Sequence, residues 1–77
     1  MAEPVLKKGS TDPAVRDLQT ALKALGHDPG PIDGVFGPTT EAAVKQLQQQ
    51  HAITADGVVG AQTWDVIDAL EDEGPAS

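Results

Sequence analysis

A twelve-residue motif occurs twice in this chain and constrains its fold more than any other sequence feature. Residues 33–44 read DGVFGPTTEAAV and residues 56–67 read DGVVGAQTWDVI, so the pattern Asp-Gly-Val-x-Gly-x-x-Thr-x-x-x-(Val/Ile) recurs at an offset of 23. In each copy, we expect a tight turn with positive φ, followed by a helix that begins at the second glycine. Pro38 then falls at the first helical position, which suits its fixed φ and its missing N–H. The motif therefore predicts two helices, each preceded by a glycine-rich turn.

A second repeat relates the first two predicted helices. Residues 15–19 (VRDLQ) match residues 44–48 (VKQLQ) at an offset of 29. Helix 1 is predicted to begin after the N-cap Asp12, with Pro13 in the first helical position, and to end at Gly26. Its apolar stripe consists of Val15, Leu18, Leu22 and Leu25.

The remaining helices are predicted from the second repeat and from apolar spacing. Helix 2 is expected to run from about Pro38 to Gln50, with its buried face formed by Ala43, Val44 and Leu47. Its glutamines are expected mostly on the outside: Gln46, Gln48, Gln49 and Gln50. Helix 3 is expected to bury Trp64, Ile67 and Leu70. The loop before helix 2 is expected to be anchored to the core by Ile32, Val35 and Phe36.

These elements predict an all-α fold, a compact three-helix bundle with glycine-rich turns leading into helices 2 and 3. Residues 1–5 are a predicted lead-in, residues 6–70 the domain, and residues 71–77 an acidic disordered tail or linker. A chain of 77 residues supports one small core without an internal ligand cavity. We therefore expect any functional site to lie on the surface.

Charge and composition exclude several classes of partner. The formal net charge of −7 opposes binding to nucleic acid or to an anionic membrane surface. The chain has no cysteine, which excludes disulfides and thiolate metal sites, and no apolar run long enough to cross a bilayer. His27 and His51 have no second ligand at metal spacing, so we expect no metal and no cofactor. The first residues lack the features of a signal peptide, which predicts cytoplasmic synthesis or an excised fragment.

Three segments together are similar to one known family. They are LKKGS with V-x-x-LQ-x-x-L-x-x-LG over residues 6–26, IDGVFGP-x-T-x-x-AV over residues 32–44, and DGVVG-x-x-TW over residues 56–64. The chain resembles the peptidoglycan-binding domain found beside the catalytic domains of many cell-wall hydrolases. The resemblance implies a three-helix fold without catalytic activity that holds a partner domain on the cell wall. His27 departs from the aromatic that commonly follows helix 1 in the family, and Leu47 departs from a common Phe.

The candidate ligand-binding residues lie in the two copies of the motif: Asp33, Gly34, Phe36, Thr40, Asp56, Gly57, Thr63 and Trp64. Each aspartate is able to bind a ligand ammonium group or, the preferred interpretation, to cap its own turn. Trp64 and Phe36 are able to stack on a ligand, although a place in the core is the preferred role. Thr40 and Thr63 are expected to cap the helix starts, with carboxylate binding beside the helix N–H groups as the alternative.

Two hypotheses follow for the function. The first is a non-catalytic module that binds peptidoglycan, through its stem peptide or its glycan, and positions an attached or associated wall-active enzyme. The second is a protein–protein interaction adaptor with the same fold, in the cytoplasm or in a phage or other assembly particle. We expect a monomer in either case. The first hypothesis implies a cell-wall, periplasmic or extracellular location, as part of a secreted or phage lytic enzyme.

Overall fold

Three helices supply the regular structure of residues 5–72, the part of the chain that the computed structural model describes. They are α1 (Ala14–Ala24), α2 (Pro38–Gln50) and α3 (Ala61–Asp72). The predicted all-α three-helix fold is confirmed. None of the helices in the described residues has the length and apolar character needed to cross a membrane.

The ends of α1 follow the sequence signals. Asp12 Oδ1 accepts the N–H of Ala14 at 2.9 Å, and Pro13 already has helical dihedrals, so the capping role predicted for the aspartate is confirmed. At the other end, Gly26 has a φ of +89° and donates its N–H to the carbonyl of Lys23, while His27 donates to Leu22 at 2.8 Å. These paired bonds satisfy the last carbonyls of the helix.

Helix α2 begins as predicted but ends with an unusual residue. Gly37 is its extended N-cap, and Pro38 occupies the first helical position. At the C-terminal end, Ala52 donates to Gln49 and Ile53 donates to Gln48, which is the same pair of bonds that closes α1. Ala52 has a φ of +57° and is the one non-glycine residue with positive φ in the described part of the chain. A side chain therefore occupies a position that favours glycine.

The core lies between the three helices and takes in both copies of the motif. Its buried apolar residues are Leu6, Val15, Leu18, Ala21, Leu22, Phe36, Ala43, Val44, Leu47, Val59, Trp64 and Ile67. Leu25 and Leu70 pack at its edge and are only partly buried. Two predicted loop anchors are wrong, because Ile32 is 37% exposed and Val35 is 49% exposed. Phe36 alone anchors this loop in the core, since polar contacts described below hold the turn before it.

The segment before α1 connects the two copies of the motif. Leu6 and Val59 form an isolated antiparallel bridge through two reciprocal N–H···O bonds of 3.0 and 2.8 Å. Gly9 donates to the carbonyl of Phe36, and Phe36 donates to the carbonyl of Ser10. Phe36 and Val59 occupy the same position of the motif, so one short segment pairs with both turns.

The domain boundaries stay a prediction, and α3 extends past the C-terminal one. Helix α3 continues two residues past Leu70, to Asp72, so the first two residues of the predicted tail are helical. Helical i→i−4 hydrogen bonding continues as long as the chain supplies residues with helical propensity, and charged residues do not stop it. The remainder of the predicted tail, residues 73–77, and the first four residues of the lead-in lie outside the described residues.

Candidate functional site

A buried glutamine on α1 holds the turn that leads into α2. The Nε2 amide of Gln19 donates to Asp33 Oδ1 at 3.3 Å, to the carbonyl of Val35 at 3.0 Å and to Thr40 Oγ1 at 3.1 Å. Its Oε1 accepts the N–H of Gly34 at 3.0 Å. One side chain thus satisfies backbone and side-chain groups on both sides of the turn.

The second copy of the motif has the same network. The Nε2 amide of Gln48 donates to Asp56 Oδ1 at 3.3 Å, to the carbonyl of Val58 at 2.9 Å and to Thr63 Oγ1 at 3.1 Å. Its Oε1 accepts the N–H of Gly57 at 3.0 Å. Each helix therefore fixes the turn that leads into the next helix, with matching hydrogen bonds.

The burial of the two glutamines differs from what hydrophobic periodicity indicates. Gln48 was expected mostly on the outside of helix 2, yet Gln19 and Gln48 are each 1% exposed. The expectation for Gln48 is wrong because its amide makes as many hydrogen bonds in the protein as it would make in water. The signal was present in the sequence, since both glutamines close the repeat found at an offset of 29.

Each motif aspartate closes its own turn, as predicted. Asp33 Oδ1 accepts the N–H of Val35 at 2.9 Å, and Asp56 Oδ1 accepts the N–H of Val58 at 2.9 Å. Hydrogen bonds from the Val35 N–H and the Gln19 amide, with a smaller contribution from the charge of Arg16, lower the pKa of Asp33 below its ordinary value. Asp33 therefore carries a full negative charge at neutral pH.

The two threonines do not cap their helices. Thr40 and Thr63 are 2% and 3% exposed, and their hydroxyl oxygens accept the glutamine amides described above. The Thr40 hydroxyl also donates to the carbonyl of Pro29 at 2.9 Å. The capping prediction is wrong because both side chains face the glutamine inside the fold and not the first N–H groups of the helix. Their burial leaves little surface for a ligand.

The two motif aromatics are core residues. Phe36 is 1% exposed and Trp64 is 6% exposed, and both belong to the central apolar cluster. A ligand stacked on either ring would need to displace core neighbours, which protein interiors resist because they are close-packed. The preferred interpretation of these residues as core anchors is confirmed.

An open cleft of about 400 Å³ lies between the start of α1 and the first turn. It is lined by Thr11, Asp12, Pro13, Arg16, Asp33, Gly34 and Val35. Arg16 and Asp33 are exposed charges of opposite sign, and Val35 adds apolar surface beside them. The cleft therefore combines a cation, an anion and an apolar contact on the rigid elements that Gln19 holds together.

The backbone at the centre of this cleft is uncovered. Gly34 has a φ of +80°, and apart from its two neighbours in the chain no residue has an atom within 4 Å of the position that a Cβ would take. In the second copy, the corresponding position on Gly57 lies 2.9 Å from Glu41 Cγ and 3.2 Å from Lys45 Cε. Gly57 is buried, whereas Gly34 is only half-buried. The first turn is thus open to solvent, and side chains of α2 cover the second.

Two further depressions lie elsewhere on the surface. A cleft of about 170 Å³ near the start of α3 includes Asp56 and Thr63, and one of about 420 Å³ includes Lys23 and His27. Of the eight predicted ligand-binding residues, Asp33 and Gly34 line the open cleft at the first turn. Within residues 5–72, no three histidine or carboxylate side chains gather as a metal ion would require.

Comparison with known proteins gives a consistent family assignment. Residues 11–67 match the family described as "Putative peptidoglycan binding domain". The chain is 41% identical, over 88% of its length, to a zinc D-Ala-D-Ala carboxypeptidase of Streptomyces albus G, and spans 28% of that protein. It is 42% identical, over 77% of its length, to a spore cortex-lytic enzyme of Bacillus subtilis, and spans 20% of it.

Solved structures confirm the fold. The crystal structure of the SleB N-terminal domain superposes with a TM-score of 0.83 at 32% identity, covering 90% of this chain and 94% of that one. A Burkholderia AP3 phage endolysin superposes with a TM-score of 0.82 at 34% identity, covering 87% of this chain and 25% of the endolysin. The chain therefore corresponds to one domain of these longer enzymes and to nearly the whole of the SleB domain.

Proposed function

The chain belongs to the peptidoglycan-binding domain family, and we propose that it binds bacterial peptidoglycan through the open cleft at the first turn. The observation that supports this cleft over the other depressions is its combination of uncovered backbone at Gly34, the charges of Arg16 and Asp33, and the exposed apolar surface of Val35. Stem peptides of peptidoglycan carry charged groups and short apolar side chains, so they match the charges of the cleft and the exposed surface of Val35.

We propose that the module is not itself catalytic. The charged residues of the cleft are exposed, and catalytic acids and bases usually depend on burial or close like charges to bring their pKa near neutrality. The pKa of Asp33 is shifted downwards, which makes this carboxylate a poor proton acceptor at neutral pH. Hydrolysis would then belong to an attached or associated domain, as the names of the longer relatives suggest.

The proposed role places the module at the bacterial cell wall as a monomer. Its folded unit would be the domain from residue 6 to the end of α3, and the segments on either side would join it to other parts of a longer protein. Relatives named as an N-acetylmuramoyl-L-alanine amidase and as a spore cortex-lytic enzyme support this location. A protein-binding adaptor of the same fold is the alternative that the following experiment separates.

Co-sedimentation with purified sacculi tests the proposal. The wild-type chain is expected to pellet saturably and to release no soluble muropeptides. Val35→Ala should weaken pelleting several-fold, because it removes apolar surface from the cleft. Val5→Ala is the matched control, since Val5 is 65% exposed and does not line the cleft. Wild-type protein that stays in the supernatant at every concentration would refute the proposal and favour the adaptor, and released muropeptides would refute the absence of catalysis.

A further inference from the structure

The two copies of the motif differ in one respect that indicates what the open cleft binds. Counting back by the offset of 29 that relates the helices, Lys45 corresponds to Arg16 and Glu41 corresponds to Asp12. The turn glycines Gly57 and Gly34 correspond at the offset of 23. Each turn therefore has a glycine, a cation four residues after an acid, and the same glutamine network.

In the second copy, the side chain of Glu41 lies over the turn glycine, with its Cγ nearest and its carboxylate beside it. Glu41 Oε2 lies 3.4 Å from the position of a Cβ on Gly57, and Lys45 Cε lies 3.2 Å from the same position. A carboxylate and a cationic side chain thus lie together over the buried Gly57. Asp56, the residue before Gly57, has its Oδ1 occupied by the Val58 N–H and the Gln48 amide.

In the first copy, the corresponding acid is directed elsewhere. Asp12 is one methylene shorter than Glu41, and its Oδ1 accepts the N–H of Ala14 at the start of α1. Glu41 does not cap a helix, because it lies within α2, after the N-cap Gly37. The first turn therefore has Gly34 and Arg16, and no carboxylate of the chain covers Gly34 as Glu41 covers Gly57.

We infer that the cleft over Gly34 binds a carboxylate group of the ligand, held by the guanidinium of Arg16, in the place that Glu41 takes over Gly57. This inference rests on the proposed function and specifies the chemical group that the cleft recognises. Arginine suits the role because its planar fork donates two parallel hydrogen bonds to a carboxylate. Asp33 keeps its negative charge, but it does not exclude a carboxylate here, because Glu41 lies over Gly57 next to the corresponding Asp56. Val35 lies beside the site and contacts the side chain next to the bound carboxylate.

Chemical amidation of the wall provides the first test. Pelleting is measured with native sacculi and with sacculi whose carboxylates have been converted to methylamides. The chain has a net charge of −7, so loss of negative charge from the wall would strengthen a non-specific electrostatic association. Specific carboxylate recognition predicts the opposite result, an apparent Kd at least tenfold weaker for amidated sacculi. Equal or tighter binding to amidated sacculi would overturn the inference.

Two matched substitutions locate the carboxylate site. Arg16→Gln is expected to weaken binding to native sacculi at least tenfold and to bind native and amidated sacculi equally. Lys45→Gln removes the same charge from the corresponding position of the covered turn and is expected to change binding less than twofold. Both side chains are exposed, so circular dichroism should show folded protein in each case. Unchanged binding in Arg16→Gln, or an equal loss in both variants, would overturn the assignment.

Amide chemical shifts distinguish failure of this inference from failure of the proposed function. A soluble muropeptide with free carboxylates is titrated into 15N-labelled wild-type chain, and the Gly34 amide is expected to shift while the Gly57 amide does not. If native sacculi pellet the chain but amidation has no effect, peptidoglycan binding stands and the carboxylate site is wrong. If native sacculi do not pellet the wild-type chain, the proposed function itself fails.

Discussion

Replacing each buried glutamine by methionine should destabilise the domain unequally. Methionine has nearly the same length as glutamine but cannot donate or accept the four hydrogen bonds that each glutamine makes. The substitution keeps the volume and removes only the polar contacts. It therefore leaves backbone and hydroxyl groups of the turn without a partner.

The magnitude depends on which of these groups water can reach. Around Gln48, the N–H of Gly57 and the hydroxyl of Thr63 are in buried residues, and each buried group left unpaired costs about 1–3 kcal/mol. With the half-buried Val58 carbonyl added, Gln48→Met should lose about 3–5 kcal/mol of unfolding free energy. Around Gln19, Gly34 opens onto the cleft, where water replaces the lost acceptor, and the buried Thr40 hydroxyl keeps its hydrogen bond to the Pro29 carbonyl. Gln19→Met should therefore lose only about 1–3 kcal/mol.

Urea unfolding followed by tryptophan fluorescence measures both losses. The chain has a single tryptophan, Trp64, and it is buried, so its emission reports global unfolding. If the domain has about 5 kcal/mol of stability, Gln48→Met keeps only about 0–2 kcal/mol and unfolds at the lowest urea concentrations, whereas Gln19→Met retains a shifted transition. Gln49→Met, on the exposed side of α2, is the control and should stay within about 0.5 kcal/mol of wild type. Equal losses for the two buried glutamines, or losses under about 1 kcal/mol, would refute the reasoning.

Three further substitutions test the backbone and the charge of the turns. Ala52→Gly should raise the unfolding free energy by about 0.5–1 kcal/mol in urea melts, because it relieves a positive φ at an exposed position, and a loss would contradict this. Gly34→Ala and Gly57→Ala should each lower the melting temperature, since positive φ costs a side chain about 1–2 kcal/mol. The loss should be larger at Gly57, where the new Cβ meets Glu41 Cγ, and a raised melting temperature for both would be inconsistent with these turns. Because the pKa of Asp33 is lower in the folded state, its ionised form stabilises the fold above the ordinary carboxyl pKa, and this stabilisation is lost as pH falls. The unfolding free energy of Asp33→Asn should therefore decrease less at acid pH than that of the wild type. An unchanged pH profile would contradict the assignment.

Local sequence rules predicted most of the fold. Pro38 at a helix start, a helix end at Gly26 and the cap at Asp12 each depend on a few neighbouring residues, and all three are present. Rules based on hydrophobicity were less successful at the turns. They placed Val35 in the core and Gln48 outside, because they assign each residue by polarity alone. A glutamine whose amide is fully hydrogen-bonded is stable in the interior, and it removes the need for an apolar anchor at the turn.

The candidate site depends on a difference between the two copies that the repeated sequence does not predict: Glu41 covers Gly57, whereas no side chain covers Gly34. By sequence, Asp12 and Glu41 are equivalent acids four residues before a cation. Which of them covers its turn is determined by where its helix begins, since only Asp12 is used to cap a helix start. Side-chain length acts in the same direction, because the extra methylene lets Glu41 reach over Gly57. The capping bond of Asp12 and the longer side chain of Glu41 thus leave the first turn open and the second covered. Of the two copies of the motif, only the first therefore has an open turn beside a cationic side chain, that of Arg16.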